Sequence, residues 1–192
     1  MTTRCSWADT NELLRVYHDQ QWGVPVHDDR LLFEMLNLEG AQAGLSWLTV
    51  LKRLDSYRIA FNNFDARKIV AYDEQKQIAL LADPGIIRNR LKVQAVIENA
   101  KTYLNIRSKA GDFDAYIWSF SSGKTLDRTD HNEAVPVSEQ MSKDLKKKGF
   151  RFVGPTICYA YMQAVGIMND HEPECFRYDE VKSLLQKLSH CL

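Results

Sequence analysis

Residues 145–166 read LKKKGFRFVGPTICYAYMQAVG, and the spacing of their two inner glycines decides the fold. Upstream, Ser138 can cap a helix that carries Met141 and Leu145 on its apolar side, and Gly149 stands where a left-handed residue closes a helix. Gly154 and Pro155 then restart helix, proline being suited to a first helical position because its missing N–H costs nothing there. The apolar run continues to Val165 and stops at Gly166. Two helices joined by a glycine-bounded turn beside lysines can expose backbone N–H groups to a phosphate without reading any base. An ordinary helix-to-helix connection fits the same residues, and the segment alone leaves both readings open.

Outward from this pair, apolar residues recur at helical spacing through most of the chain. Asp28 and Asp29 can cap a helix with Leu31, Leu32, Met35 and Leu38 on its buried stripe. Ser46 can cap another, with Trp47, Val50, Leu51, Leu54 and Phe61 turned inward. A helix from Asp73 should end before Asp83-Pro84-Gly85, and a longer one is predicted from about Asn89 to Ile106, with Leu91, Ala95, Ile97, Ala100 and Leu104 on or near its apolar side. Gly111-Asp112 opens a short element containing Trp118, Ser121–Glu133 reads as loop, and a last amphipathic helix fits Val181–Leu188. Pro173 excludes a continuous helix through His171 and Cys175. No alternation marks a strand, so the prediction is an all-α fold of about eight or more helices.

The 192 residues suit one domain spanning 1–192, or two closely packed helical lobes within it. A composition of 45% hydrophobic and 26% charged residues is that of a soluble globular chain rather than a disordered one. Apolar stretches are interrupted well short of the roughly 20 residues that cross a bilayer, so no membrane role is expected. Four cysteines with no signal peptide before Cys5 suggest a reducing, cytoplasmic setting. The chain has no net charge, but Lys143–Arg151 carries five basic residues against one acid, and Arg88, Arg90 and Lys92 form a second cluster. Solvated helix faces and contacts to a polyanion both account for them. The lack of an obvious association surface points to a monomer.

Two groups of residues carry chemistry. Cys5 and His18 near one end, with His171 and Cys175 near the other, supply two thiolates and two imidazoles, the inventory of a closed tetrahedral zinc site that would tie the termini together. The spacings, Cys-x12-His and His-x3-Cys, are not those of a common finger, and packing roles for a reduced cysteine or a buried histidine remain open. Trp7, Tyr17, Trp22 and Trp47, with Glu39 at the end of an apolar helix, could together form a slot for a planar cationic ring, while taken singly each aromatic reads first as core and Glu39 as a solvated helix-end residue.

The stretches RCSWA (4–8), YHDQQWGVP (17–25), LFEMLNLEGAQAGLSWLTVLKR (32–53), DPGIIRNRLKVQAVIENAK (83–101), YIWSF (116–120) and LKKKGFRFVGPTICYAYMQAVGIMNDH (145–171) resemble the DNA-3-methyladenine glycosylase I family. With Cys175 the likeness runs over most of the chain. GFRFVGPTICYAYMQAVG is similar to the helix-hairpin-helix of DNA repair glycosylases, with its glycines, Gly149 and Gly154, set wider apart than in that shorter turn. The resemblance implies a helix-hairpin-helix glycosylase with one structural zinc held by Cys5, His18, His171 and Cys175. It places the base-recognition carboxylate on Glu39 and the pocket aromatics on Tyr17, Trp47, Trp22 and Trp7. Gly44 and Leu45 match a turn resembling a DNA-inserting wedge, with plain core as the alternative for Leu45. One departure stands out: Leu14 occupies the place of a second pocket tyrosine.

The activity so implied is hydrolysis of the bond joining N3-methyladenine to deoxyribose in alkylated double-stranded DNA, leaving an abasic site. The lesion is cationic and already a good leaving group, so the protein's task is selection and positioning. Glu39 would accept from the amino edge of the everted base; whether it also activates water is left open by the sequence. Asp170, beside His171, is expected to support that imidazole or to cap. A zinc-stapled DNA-binding module without catalysis would need neither Glu39 nor the slot. A zinc deaminase would need an open coordination position and a His-x-Glu with Pro-Cys-x-x-Cys, which the sequence lacks.

Overall fold

Side-chain caps set most of the helix starts in the computed structural model, which describes residues 3–189. In chain order the helices are α1 (Glu12–Gln20), α2 (Asp29–Gln42), α3 (Trp47–Leu51), α4 (Leu54–Ala60), α5 (Ala66–Ile69), α6 (Glu74–Ala82), α7 (Arg90–Ala110), α8 (Phe113–Trp118), α9 (His131–Lys148), α10 (Pro155–Ala164) and α11 (Phe176–Ser189). Asn11, Asp28, Ser46, Asp73 and Asn89 each accept a first-turn amide at the start of α1, α2, α3, α6 and α7. The prediction of an all-α chain holds for the helices. One small addition is a parallel pair of two-residue strands, β1 (Leu126–Asp127) and β2 (Met168–Asn169), in register Leu126 to Met168 and Asp127 to Asn169. Two residues are too few to alternate, so no periodicity announced them.

Four expectations need correction. The helix expected to run inward from Ser46 to Phe61 breaks at Lys52–Arg53 into α3 and α4. Leu91 is 66% exposed, and α7 buries Val93, Val96, Ile97, Ala100 and Tyr103 instead. Ser138 does not cap α9: it lies inside that helix, its hydroxyl donating to the Val135 carbonyl at 2.8 Å. The helix begins earlier, at His131, and runs through Pro136, so the loop expected over Ser121–Glu133 is shortened by β1 and the first turn of α9. Proline lacks the amide a helix interior needs, which is why the sequence suggested a later start. The helix expected over Val181–Leu188 belongs to α11; the side chains of 185–188 lie outside the described residues.

α2 is the central element. From Leu32 to Ala41 every residue is buried, including Glu34, Asn37 and Glu39, because α3, α7, α8 and α10 pack around it. Tyr161 of α10 donates its phenol to the Leu32 carbonyl at 3.1 Å, and α9 packs along α10. The α9–α10 turn is closed by a Schellman arrangement, with Gly149 at φ +112, the Phe150 amide on Leu145 O at 3.0 Å and the Gly149 amide on Lys146 O at 3.0 Å. No helix among the described residues is long and apolar enough to cross a membrane.

Candidate functional site: an aromatic cavity beside a thiolate–imidazole cluster

Consecutive residues of α1 point into two different sites. His18 and Tyr17 are both buried, about a quarter-turn apart on the helix, so one faces the chain ends and the other faces α2.

On the first face, Cys5, His18, His171 and Cys175 come together, all buried, with their ligand atoms within 4.8 Å of one another. His171 Nδ1 lies 3.2 Å from His18 Nε2, and Cys175 Sγ lies 3.4 Å from the same His18 atom. Cys5 Sγ and Cys175 Sγ are 3.6 and 3.7 Å from His171 Nδ1. The outer nitrogens fix the tautomers. His18 Nδ1 sits 2.8 Å from Asp19 Oδ1 and must carry the proton, and His171 Nε2 donates to the Trp22 carbonyl at 3.1 Å. Two lone pairs therefore face each other across 3.2 Å with no hydrogen between them. Burial also pushes the Cys5 thiol up to about 12 and the His171 imidazole down to about 4. A divalent cation would resolve the arrangement by replacing the thiol protons and taking all four lone pairs. Outside the ligands, Arg4 grips Asp19 through Nε and Nη2 at 2.9 Å, and so orients His18 indirectly. Pro173 lies in a turn before α11, as its place in the sequence predicted.

On the second face lies a cavity of about 580 Å³, lined by Trp7, Tyr17, Trp22, Glu39 and Trp47 together with Leu14, Gln42, Arg128, Gln163 and Asp170. The rings make two walls. Tyr17 and Trp47 have centroids 5.3 Å apart, and Trp7 meets Trp22 edge-on at 5.1 Å. Trp22 also lies edge-on to His171, with centroids 4.6 Å apart, so the thiolate–imidazole cluster is packed directly behind the aromatic wall. Glu39 is 4% exposed, and burial raises its carboxyl to about 8. Three carboxylates line this space, and two are engaged. Asp170 accepts from Gln163 Nε2 at 2.6 Å with Arg128 Nη1 3.6 Å from its other oxygen, and Glu172 accepts the Ser6 hydroxyl at 3.0 Å. Glu39 has no hydrogen-bond partner among the described residues. The indole N–H of Trp47 is likewise buried without one.

The structure thus places the four aromatics and the carboxylate singled out from the sequence around one cavity. The sequence reading missed Gln163, Arg128 and Gln42, whose polar heads carry no spacing signal of their own. It also misplaced Asp170, which lies on the cavity wall rather than against the His171 ring. Leu14 lines the cavity as expected, so aliphatic surface stands on that side.

Gly44 and Leu45 form the turn between α2 and α3. Gly44 has φ +76 with open space about its Cα, and Leu45 is 39% exposed, which removes the plain-core reading of that leucine. Gly154 caps α10, also with open space around it. The loop before it carries Phe152 in the left-handed region at φ +54, seated against Gly40 of α2.

The family described as methyladenine glycosylase matches residues 7–178. The chain belongs to that family. It is 46% identical over 180 residues to DNA-3-methyladenine glycosylase 1 of Escherichia coli (strain K12), covering 91% of this chain and 96% of that one. A crystal structure of 3-methyladenine DNA glycosylase I superposes with a TM-score of 0.86 at 45% identity, over 91% of this chain and 98% of the other. The 3-methyladenine DNA glycosylase I of Staphylococcus aureus, described for its recognition of 3-methyladenine, gives 0.85 at 34% identity over 90% and 95%. As a methyladenine glycosylase the chain is a DNA repair enzyme of the N-glycosyl hydrolase class, and the resemblance read from its sequence is borne out.

Proposed function

We propose that this chain excises N3-methyladenine from alkylated double-stranded DNA, with Glu39 as the group that selects the base. The observation that carries the reading is an unpartnered carboxyl held 4% exposed in an aromatic cavity, beside two carboxylates that are already engaged. A buried carboxyl near 8 is largely protonated at neutral pH in the free protein. A cationic base entering the cavity lowers that value by direct attraction, so the carboxylate forms where the positive charge sits. Neutral adenine offers no such gain. Tyr17 and Trp47 supply stacking faces, while Trp7 and Trp22 close the far wall and exclude water. The glycosidic bond of the cationic lesion is already weak, and holding the sugar and base still is the protein's main contribution. In single-turnover excision from methylated duplex DNA, Glu39→Gln should lose at least about tenfold in rate. An unchanged rate would remove Glu39 from this role.

Zinc is the ion that fits the thiolate–imidazole cluster. Bonds of about 2.3 Å to sulfur and about 2.0–2.1 Å to nitrogen at tetrahedral angles put ligand atoms roughly 3.3–3.8 Å apart. The separations of 3.2, 3.4, 3.6 and 3.7 Å support that size. Four protein ligands complete the shell, so the ion would hold structure and take no part in hydrolysis. Metal analysis of purified protein should return one zinc per chain.

On the DNA side, exposed Leu45 on the flexible Gly44 turn is our wedge for the space left by the everted nucleotide. The Gly149–Gly154 turn of a helix-hairpin-helix would hold a backbone phosphate at the start of α10. We read residues 1–192 as one domain, acting as a cytoplasmic monomer.

A further inference from the structure

The second basic cluster of the sequence does not form one patch. Arg88 and Arg90 are exposed at the start of α7, but Lys92 turns into the protein, its Nζ donating to Ala41 O at 2.8 Å and to Ala43 O at 2.7 Å. Burial alone moves its ammonium, downward, and among the described residues no carboxylate lies against it. A lysine near the C-terminal carbonyls of a helix is favourable in itself, and its bond to Ala41 serves α2 in that way. The bond to Ala43 does something more, because Ala43 begins the turn that carries Gly44 and Leu45.

That turn has little else to hold it. Its other ties are local, the Ala43 amide on Gly40 O at 3.3 Å, the Leu45 amide on Gln42 O at 2.7 Å and Gln42 Nε2 on Leu45 O at 2.7 Å. A side chain at Gly44 would point into open space, with nothing within 4 Å of its Cβ. Seven residues after Lys92, on the same face of α7, Asn99 accepts the Arg151 amide at 2.8 Å and donates to Asn37 of α2 at 2.9 Å. One straight helix therefore references both the α2–α3 turn and the α9–α10 turn. We infer that Lys92 is a positioning residue, holding the Ala43–Leu45 turn in the shape that lets Leu45 enter the duplex as a base leaves it. The inference rests on the wedge reading of Leu45.

The test is a double-mutant cycle in single-turnover excision from methylated duplex DNA, using Lys92→Met, Leu45→Ala and the pair. Each single substitution should slow excision about tenfold, and the pair should be no slower than the slower single, because both remove the same event. Affinity of the Lys92→Met protein for free 3-methyladenine should stay within about twofold of wild type, and the salt dependence of duplex binding should not change. A wild-type rate for Lys92→Met beside a slow Leu45→Ala overturns the role of Lys92 and leaves the wedge standing. A wild-type rate for Leu45→Ala overturns both. A Lys92→Met effect that persists in full in the Leu45→Ala background, a salt slope shallower by about one, or lost free-base affinity would mean that Lys92 acts elsewhere.

Discussion

In its proposed role Glu39 would trade stability for selectivity, and the sign of the trade can be measured. Its ordinary value is 4.5 and burial raises it to about 8. Between those pH values the native protein binds a proton that the unfolded chain releases, so the group's contribution to stability falls as pH climbs through the window, by about 1.4 kcal/mol per unit at most. Gln resembles the protonated side chain in shape and cannot ionise. Glu39→Gln should therefore melt near wild type at pH 5 and clearly above it at pH 8. Equal melting shifts at both values would show that burial does not tune this carboxyl. A buried ionisable group with no partner is a cost that an uncommitted core position would not keep, and here it coincides with the cavity. From sequence Glu39 was legible only through its company, an apolar helix end and the nearby aromatics; burial at 4% could not be read from α2's pattern, because the fold buries that helix on every side, polar residues included.

Among elements, α2 is the meeting point, carrying Glu39, ending in the Gly44–Leu45 turn and taking the α9–α10 loop on Gly40. A Cβ at Gly40 would come within 3.1 Å of Phe152 Cβ and 3.3 Å of its carbonyl oxygen. Gly40→Ala should push that loop outward at a cost of about 1–3 kcal/mol, weakening duplex binding more than free-base binding. Thermal melts and parallel titrations with duplex and free base separate the two effects, and equal losses in both titrations would contradict the expected route. Helix starts were legible where a short polar residue accepts a first-turn amide, as at Asp28, Ser46, Asp73 and Asn89. They failed at α9, where tertiary packing against α10 carries helix through Pro136. Leu91 shows the complementary limit, an apolar residue at helical spacing that the fold leaves in solvent. Lys92 shows the same limit for charge, since one lysine of an apparent surface cluster is spent on backbone carbonyls.

For the molecule as a whole, the thiolate–imidazole cluster is the long-range contact that matters. It joins residues 153 apart at His18 and His171, and the His171 ring also donates to the Trp22 carbonyl of the cavity wall. If the cluster holds zinc as proposed, Cys175→Ser, or removal of the metal by a chelator, should lower the melting temperature by many degrees, because metal binding would be coupled to folding. The same treatment should weaken free-base binding as Trp22 and Trp7 lose their backing. A chelated protein with unchanged melting and unchanged base affinity would reject the coupling. The four ligands were visible in the sequence as an inventory, but their convergence was not, since nothing local in Cys-x12-His or His-x3-Cys says that the two halves meet.

That separation orders events in time. The ribosome releases Tyr17, Trp22 and Glu39 well before His171 and Cys175, so the residues that line the aromatic cavity emerge before the ones that back it. In refolding, helical signal should return early and affinity for the free base late, in step with metal capture.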